Sequence, residues 1–422
     1  MTEIVYDLTE VFLASTGKLR YYGILRVVAE IGAGLRRLDP SIRYCVYSYA
    51  LDDFVEVFPE LHSDGQVDLK VPQGVKQLRL RQKYYTPNPL RDLLLVPLRR
   101  IARKRNLKAW DEAGLADMPR IDLQGRILVS CGRPKLMADQ FASLDRKGVH
   151  VTFIPLLHDM IPLHEHFNHK RKSFKGNFIH DNRNVLSRAR LVLSNSAFTR
   201  DEIISFGQSG HLPTPPEVIP IPLVHECPEG TEPAEGEVPQ EPFLMAVGAS
   251  IGRKNLDVVF AAMARLAGEG KPVPLLILAG APRDSVRKYL EDERFAAIRD
   301  RVIFRKNPNQ TDLVALYRGA LALVIASRME GWGLPAGEAL WLGTPAICST
   351  APVFREVCGD LGLYFDPDDP EALAGIVNRL MTDTAYRDDL RARIAAAHDT
   401  LRDWMDVSRD VLAAIAPVAK AG

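Results

Sequence analysis

Two carboxylates, Glu330 and Glu338, stand eight positions apart around the stretch Gly331-Trp332-Gly333-Leu334-Pro335. Proline fits the first turn of a helix, where its missing N–H costs nothing, so the glycines form a turn that opens a helix near Leu334. The amides of Gly331, Trp332, Gly333 and Leu334 then offer partial positive charge, the usual seat of a phosphate. A carboxylate would repel that phosphate at contact, so both acids must meet neutral parts of the same ligand, and vicinal hydroxyls suit them. Hydroxyl, diphosphate, hydroxyl is the outline of a nucleotide-sugar. Glu338, expected in the first helical turn, faces the ribose, and Glu330 faces the sugar. Each acid also has a plainer reading, dipole stabilisation for Glu338 and an exposed loop position for Glu330.

A second turn supplies the countercharge. In Val-Gly-Ala-Ser-Ile-Gly-Arg-Lys-Asn (247–255), Arg253 and Lys254 follow an apolar run and precede a helical pattern. Two cations at such a turn can grip a diphosphate and offset the charge that develops as it leaves.

These turns need a scaffold, and the chain supplies one in short apolar runs followed by longer helical patterns. Residues 126–132, 150–159, 190–199, 243–250, 274–282, 301–307 and 320–327 are apolar without alternation. Such runs predict strands buried on both faces of parallel sheets, and hence an α/β, doubly wound architecture. At 422 residues the chain is too long for one ordinary core. The stretch 225–242, rich in Pro, Gly and Glu, is expected to be a linker. It divides an N-terminal domain (1–224) from a C-terminal domain (243–400), with a last helix at 401–422. Ligands of open α/β sheets bind outside the carboxyl ends of the strands, so two such domains would face a common cleft.

A net charge of +1, with 25% charged and 46% apolar residues, describes a globular protein and argues against general nucleic-acid affinity. The five cysteines show no C-x-x-C spacing, which fits a reducing, cytoplasmic setting without a disulfide framework. Glu3, Asp7 and Glu10 near the start do not resemble a secretory signal, and no apolar run is long enough for a membrane span. Segment 70–108 departs from this balance, with twelve Lys/Arg against the single acid Asp92 and with leucines and tyrosines between them. It reads either as a solvated basic helix or as a surface for an anionic membrane face at the inner side of the cell membrane. Gly32-Ala33-Gly34 echoes a dinucleotide fingerprint but lies inside a helical pattern and lacks a third glycine.

The interval Glu330 to Glu338 matches the E-x7-E motif of the retaining GT4 glycosyltransferases. The turn ending Arg253-Lys254-Asn255 resembles that family's diphosphate loop, and the likeness extends through "NPNQTDLVALYRGA" and "REVCGDLGLYFDPDDPEALA". The resemblance implies a GT-B fold, two Rossmann-like doubly wound domains facing a central cleft, with the acceptor bound by the first and the nucleotide-sugar by the second. It implies that Glu330 binds hydroxyls of the transferred sugar, Glu338 the ribose, and Arg253 and Lys254 the diphosphate. The amides of Gly331, Trp332, Gly333 and Leu334 would touch sugar and phosphate, and Asn307, in Arg305-Lys306-Asn307, would lie where the nucleobase is read. His158, in "LLHDMIPLHEH", would meet the donor sugar near its primary hydroxyl, and Gly23 would let backbone approach the leaving phosphate. Some relatives carry a further arginine where this chain has Ala249, so a clamp of three cations is not implied.

The expected activity is therefore sugar transfer from a nucleotide donor to a glycan or lipid-linked acceptor in polysaccharide synthesis, with GDP-mannose the favoured donor. No cofactor and no metal are expected, the nucleotide-sugar being a substrate, and His164, His166 and His169 are assigned surface roles. A nucleotide-sugar 2-epimerase and a non-catalytic nucleotide-sugar-binding protein are the alternatives of other classes.

Overall fold

The computed structural model describes residues 2–15, 23–82, 84–85, 88–168, 177–230, 234, 236–248, 251–281 and 284–421. The chain divides into two units, one running through Pro222 and rejoined by the chain from Trp404 onward, the other spanning Leu223–Asp403.

The first unit holds β1 (Ile4–Asp7), β2 (Arg43–Ser48), β3 (Asp53–Val57), a hairpin of β4 (Glu60–Leu61) and β5 (Val67–Asp68), then β6 (Ile127–Ser130), β7 (Thr152–Leu157), β8 (Val192–Ser194) and β9 (Val218–Pro220). Its seven-stranded sheet is ordered β3-β2-β1-β6-β7-β8-β9. Every pair is parallel except β2 with β3. The second unit holds β10 (Phe243–Val247), β11 (Leu275–Gly280), β12 (Val302–Lys306), β13 (Ala322–Ile325), β14 (Ala346–Ser349) and β15 (Leu363–Phe365), in the all-parallel order β12-β11-β10-β13-β14-β15. Strands such as Ala322-Leu323-Val324-Ile325 are buried at every position, because helices cover both faces.

Strand order reverses once in each sheet, and this decides where a ligand can sit. In the second unit the chain moves outward from β10 to β12, then restarts at β13 on the other side of β10. The turns after β10 and β13 therefore flank a topological switch point, where the helices diverge and leave a crevice. They are the two turns that carry Arg253, Lys254 and Glu330. In the first unit the same reversal falls between β1 and β6.

Two differences from the sequence reading have physical causes. Stretch 225–242, expected as a free linker, is at its described residues packed on the second unit. His225 and Cys227 are buried, and the Gly236 N–H donates to Asp312 Oδ1 at 3.0 Å. A segment poor in apolar side chains is held here by polar contacts. The glycines of Gly32-Ala33-Gly34 are packing residues in the helix Ile24–Leu38: a Cβ on Gly32 would stand 3.0 Å from the Tyr6 ring, and one on Gly34 would overlap Ser408 of the helix Trp404–Ala421.

Candidate active site

β13 delivers the chain to Glu330, and the helix Leu334–Trp341 begins four residues later. Gly333 caps that helix at φ +93°, a left-handed conformation costly for any residue with a Cβ, and an added Cβ would come within 2.7 Å of the Phe354 ring. No side chain caps the helix and its first turn carries no acid, which leaves its N-terminal end electropositive. Trp332 does not reach outward: its ring is buried and its indole N–H donates to the Val224 carbonyl at 3.2 Å, so only its backbone is on offer to a ligand.

The turn after β10 lies against this loop. Gly248 and Gly252 take positive φ, Asn255 is left-handed, and the helix Leu256–Gly268 follows. The Arg328 N–H donates to the Arg253 carbonyl, and the Arg253 guanidinium to the Met329 carbonyl, both at 2.9 Å. The side chains then converge, with Arg253 Nη1 2.7 Å from Glu330 Oε2 and Lys254 Nζ 2.9 Å from Glu330 Oε1. Burial alone would push the Glu330 carboxyl up, but Lys254 and Arg253 outweigh it and hold the group below its usual value. The carboxylate is thus ionised between two cations at an electropositive helix start. Arg253 and Lys254 remain 34% and 27% exposed, so an incoming anion can reach both.

Glu338 needs a correction. It falls in the second turn of its helix, not the first, and is 8% exposed. Its Oε2 accepts the Tyr317 hydroxyl at 2.8 Å, so its position is fixed by the helix Gln310–Gly319. Asn307, left-handed at φ +50°, directly follows β12, two strands from β10, and its N–H donates to the Gly280 carbonyl. It borders a separate small hollow with Phe304, Lys306 and Leu316, over which Glu237 is tied by Arg305. Ala249 lies outside the described residues.

In the first unit, Gly23 caps the helix Ile24–Leu38 at φ +60°, where a Cβ would meet nothing within 4 Å. His158 follows β7, and its Nε2 stands 2.7 Å from the Cys131 carbonyl. A carbonyl only accepts, so Nε2 carries the proton and the neutral ring leaves a lone pair on Nδ1. Burial lowers its pKa despite the pull of Cys131 and Glu10, favouring this neutral form. His225, buried as well, shows the contrast: its Nε2 donates to the Val357 carbonyl and its Nδ1 accepts from the Arg402 N–H, so both nitrogens serve the fold.

Ile24 and His158 line one cavity of about 870 Å³ together with Arg133 and Lys135, which sequence reasoning passed over. The signal was present in Arg133-Pro134-Lys135, placed directly after β6. The segment 16–22 lies outside the described residues, as does His169; His164 pairs with Glu202. Among the described residues no group of His, Cys, Asp and Glu is arranged to hold a metal ion.

Comparison with known proteins places this geometry. Residues 230–397 match the family model described as "Glycosyl transferases group 1". O-antigen chain mannosyltransferase B of Escherichia coli is 27% identical over 229 residues, 49% of this chain and 56% of that protein. O-antigen chain mannosyltransferase RfbU of Salmonella typhimurium is 32% identical over 148 residues, 33% of this chain and 39% of that protein. The chain thus spans about half or less of the length of these relatives. A sucrose-phosphate synthase structure from Thermosynechococcus elongatus superposes with a TM-score of 0.65 at 16% identity, covering 100% of both chains, a likeness of fold: both are GT-B.

Proposed function

From the match of residues 230–397 to the glycosyl transferases group 1 family model, we propose that the protein is a retaining glycosyltransferase, moving a sugar from a nucleoside diphosphate to an acceptor hydroxyl in cell-surface polysaccharide synthesis. The observation that carries this reading is the cluster of Arg253, Lys254 and Glu330 beside the uncapped helix start at Leu334. Fixed cations and amides there suit a diphosphate leaving group, and no divalent ion or other cofactor enters the proposal. Mannose is the proposed sugar and GDP-mannose the proposed donor, supported by the O-antigen mannosyltransferase names of both bacterial relatives.

In the proposed course the donor's C1–O bond to the diphosphate breaks while Arg253 and Lys254 take up the charge on the departing oxygen. The acceptor oxygen attacks the same face of an oxocarbenium-like sugar, its proton passing to a donor phosphate oxygen. Glu330 accepts sugar hydroxyls, Glu338 the ribose hydroxyls, and Asn307 lies toward the nucleobase. With GDP-α-mannose and a mannosyl acceptor, NMR of the product is expected to show an α linkage. A β linkage would overturn the retaining course.

We further propose a peripheral position at the cytoplasmic face of the cell membrane. In the helix Pro89–Glu112, Leu95, Ala102, Asn106 and Trp110 pack inward, while Leu90, Leu93, Leu94, Leu98 and Ile101 lie on the opposite face, each at least half exposed. Lys104, Arg105 and Lys108 continue that face. Apolar side chains followed by cations suit the boundary of an anionic bilayer. Among the described residues no helix is long and apolar enough to cross one. Flotation with vesicles containing phosphatidylglycerol is expected to carry the protein upward, and Leu93→Asp with Leu94→Asp to abolish this. Flotation indifferent to both lipid charge and substitution would contradict the assignment.

A further inference from the structure

The cavity beside His158 has a charge pattern that the fold does not require. It opens at the switch point between β1 and β6, where the helix Pro134–Lys147 starts. An electropositive helix start favours acids nearby. Here the first turn has none, Arg133 is the cap residue and Lys135 lies two positions beyond it. One acid does answer: Glu10, buried with 7% exposure, accepts the Arg133 N–H at 3.2 Å and pairs with its guanidinium at 2.7 Å. That satisfies Arg133 but leaves Lys135.

The other charges of the cavity wall divide in the same way. Arg81 is buried against Asp181, which also accepts the Tyr85 hydroxyl, so this pair is internally balanced. Asp159 accepts the Ile161 N–H at the start of the helix Ile161–Asn168. Asp139, buried behind the wall, whose carboxylate feels Lys135, is already engaged by the Gln82 N–H at 2.7 Å and the Tyr49 hydroxyl at 2.9 Å. Arg79 and Lys135 remain, both exposed on the wall, and neither forms an ion pair among the described residues. Ile24, Leu157 and Phe178 supply apolar wall beside them.

We infer that this cavity receives the acceptor through a negatively charged group, a phosphate, diphosphate or carboxylate, held by Arg79 and Lys135 at the start of the helix Pro134–Lys147, with the acceptor's apolar part against Ile24, Leu157 and Phe178. The inference rests on the reading of the first unit as the acceptor-binding domain and adds the chemical class of the acceptor. Two cations with rotatable stems recognise charge more than shape, so a phosphate monoester and a diphosphate both qualify. Arg79 and Lys135 thereby act as specificity-determining residues toward the acceptor.

The test is calorimetric titration of the full chain, without nucleotide, with octyl phosphate, octyl mannoside and inorganic pyrophosphate. Octyl phosphate is expected to bind about tenfold or more tightly than the neutral mannoside. The Arg79→Gln, Lys135→Gln double variant is expected to lose that margin while keeping its affinity for the mannoside and its melting temperature. Arg79→Lys with Lys135→Arg is expected to restore it. Competition by pyrophosphate would assign recognition to the charged group itself, and its failure to compete while octyl phosphate binds would assign it to a charged group joined to an apolar chain. Equal affinity for the two amphiphiles, or a margin that survives in the double variant, would overturn the inference. Because no donor is present, intact phosphate recognition in a protein that releases no nucleotide counts against the transferase reading alone, and the reverse pattern counts against this inference alone.

Discussion

Lys254→Ala is expected to lower kcat/KM by about 10²–10³-fold, roughly 3–4 kcal/mol of transition-state stabilisation. Its ammonium is part-exposed and 2.9 Å from Glu330, so it can transfer its attention to a diphosphate without a large rearrangement. The charge it would meet grows as the donor bond breaks, so its loss falls on the chemical step more than on ground-state binding. The substitution also leaves Glu330, 13% exposed, with Arg253 as its remaining cation, and the melting temperature is expected to fall by a few degrees. Lys254→Arg separates the two effects: charge is kept, the melting temperature is expected to recover, and activity is expected to return only in part, since a guanidinium presents its donors in a different geometry. Arg253 is a less clean probe, because its guanidinium also ties the two turns together through Met329. Steady-state kinetics on the two Lys254 variants check this, and turnover within about twofold of the parent in Lys254→Ala would contradict the role assigned to the cation.

Glu330→Gln is expected to cost about 10²-fold in kcat with a smaller change in KM for the donor. The side chain keeps its shape but loses the charge that makes it a strong acceptor for sugar hydroxyls, and its new amide N–H groups face two cations. Removing the carboxylate also leaves Arg253 and Lys254 facing one another without a counterion, so nucleoside diphosphate alone is expected to bind at least as well as before. Weaker turnover with undiminished nucleotide affinity is the pattern to look for, and a parallel loss of both would place Glu330 in the scaffold and not against the sugar.

The sequence yielded the second unit more fully than the first, for reasons visible in particular residues. The strands at 243–250, 274–282 and 320–327 were legible because parallel strands covered on both faces are apolar throughout, and the edge strand within 301–307 through its run Val302-Ile303-Phe304. β14 (Ala346–Ser349) and β15 (Leu363–Phe365) were passed over, and β1, with Asp7 in it, breaks the apolar pattern at its carboxyl end. The glycines around Trp332 announced a turn and a helix start, but not that Trp332 would be an anchor under Val224. Nor did spacing reveal that Glu330 contacts Arg253 and Lys254: seventy-six positions separate Lys254 from Glu330, and only adjacency of β10 and β13 brings them together. Glu338 was expected in the first turn, but with the helix starting at Leu334 as expected it is the fifth helical residue, and at 3.6 residues per turn it falls in the second. Lys135 escaped notice, and Arg79 was read only as part of the basic segment 70–108, because their significance depends on which neighbours are already paired, a property of the folded surface.

The claim on which all else depends is that the second unit seats a nucleoside diphosphate between two turns at its switch point. Release of nucleoside diphosphate from a panel of GDP-, UDP- and dTDP-sugars, measured in the presence of a glycan acceptor for the parent protein, Lys254→Ala and Glu330→Gln, tests it most directly. The account predicts that the parent releases nucleotide from one donor of the panel, GDP-mannose, and that both variants fall by about two orders of magnitude or more on that donor. No release from any donor, a free sugar nucleotide epimerised at C2, or equal release by parent and variants would contradict it.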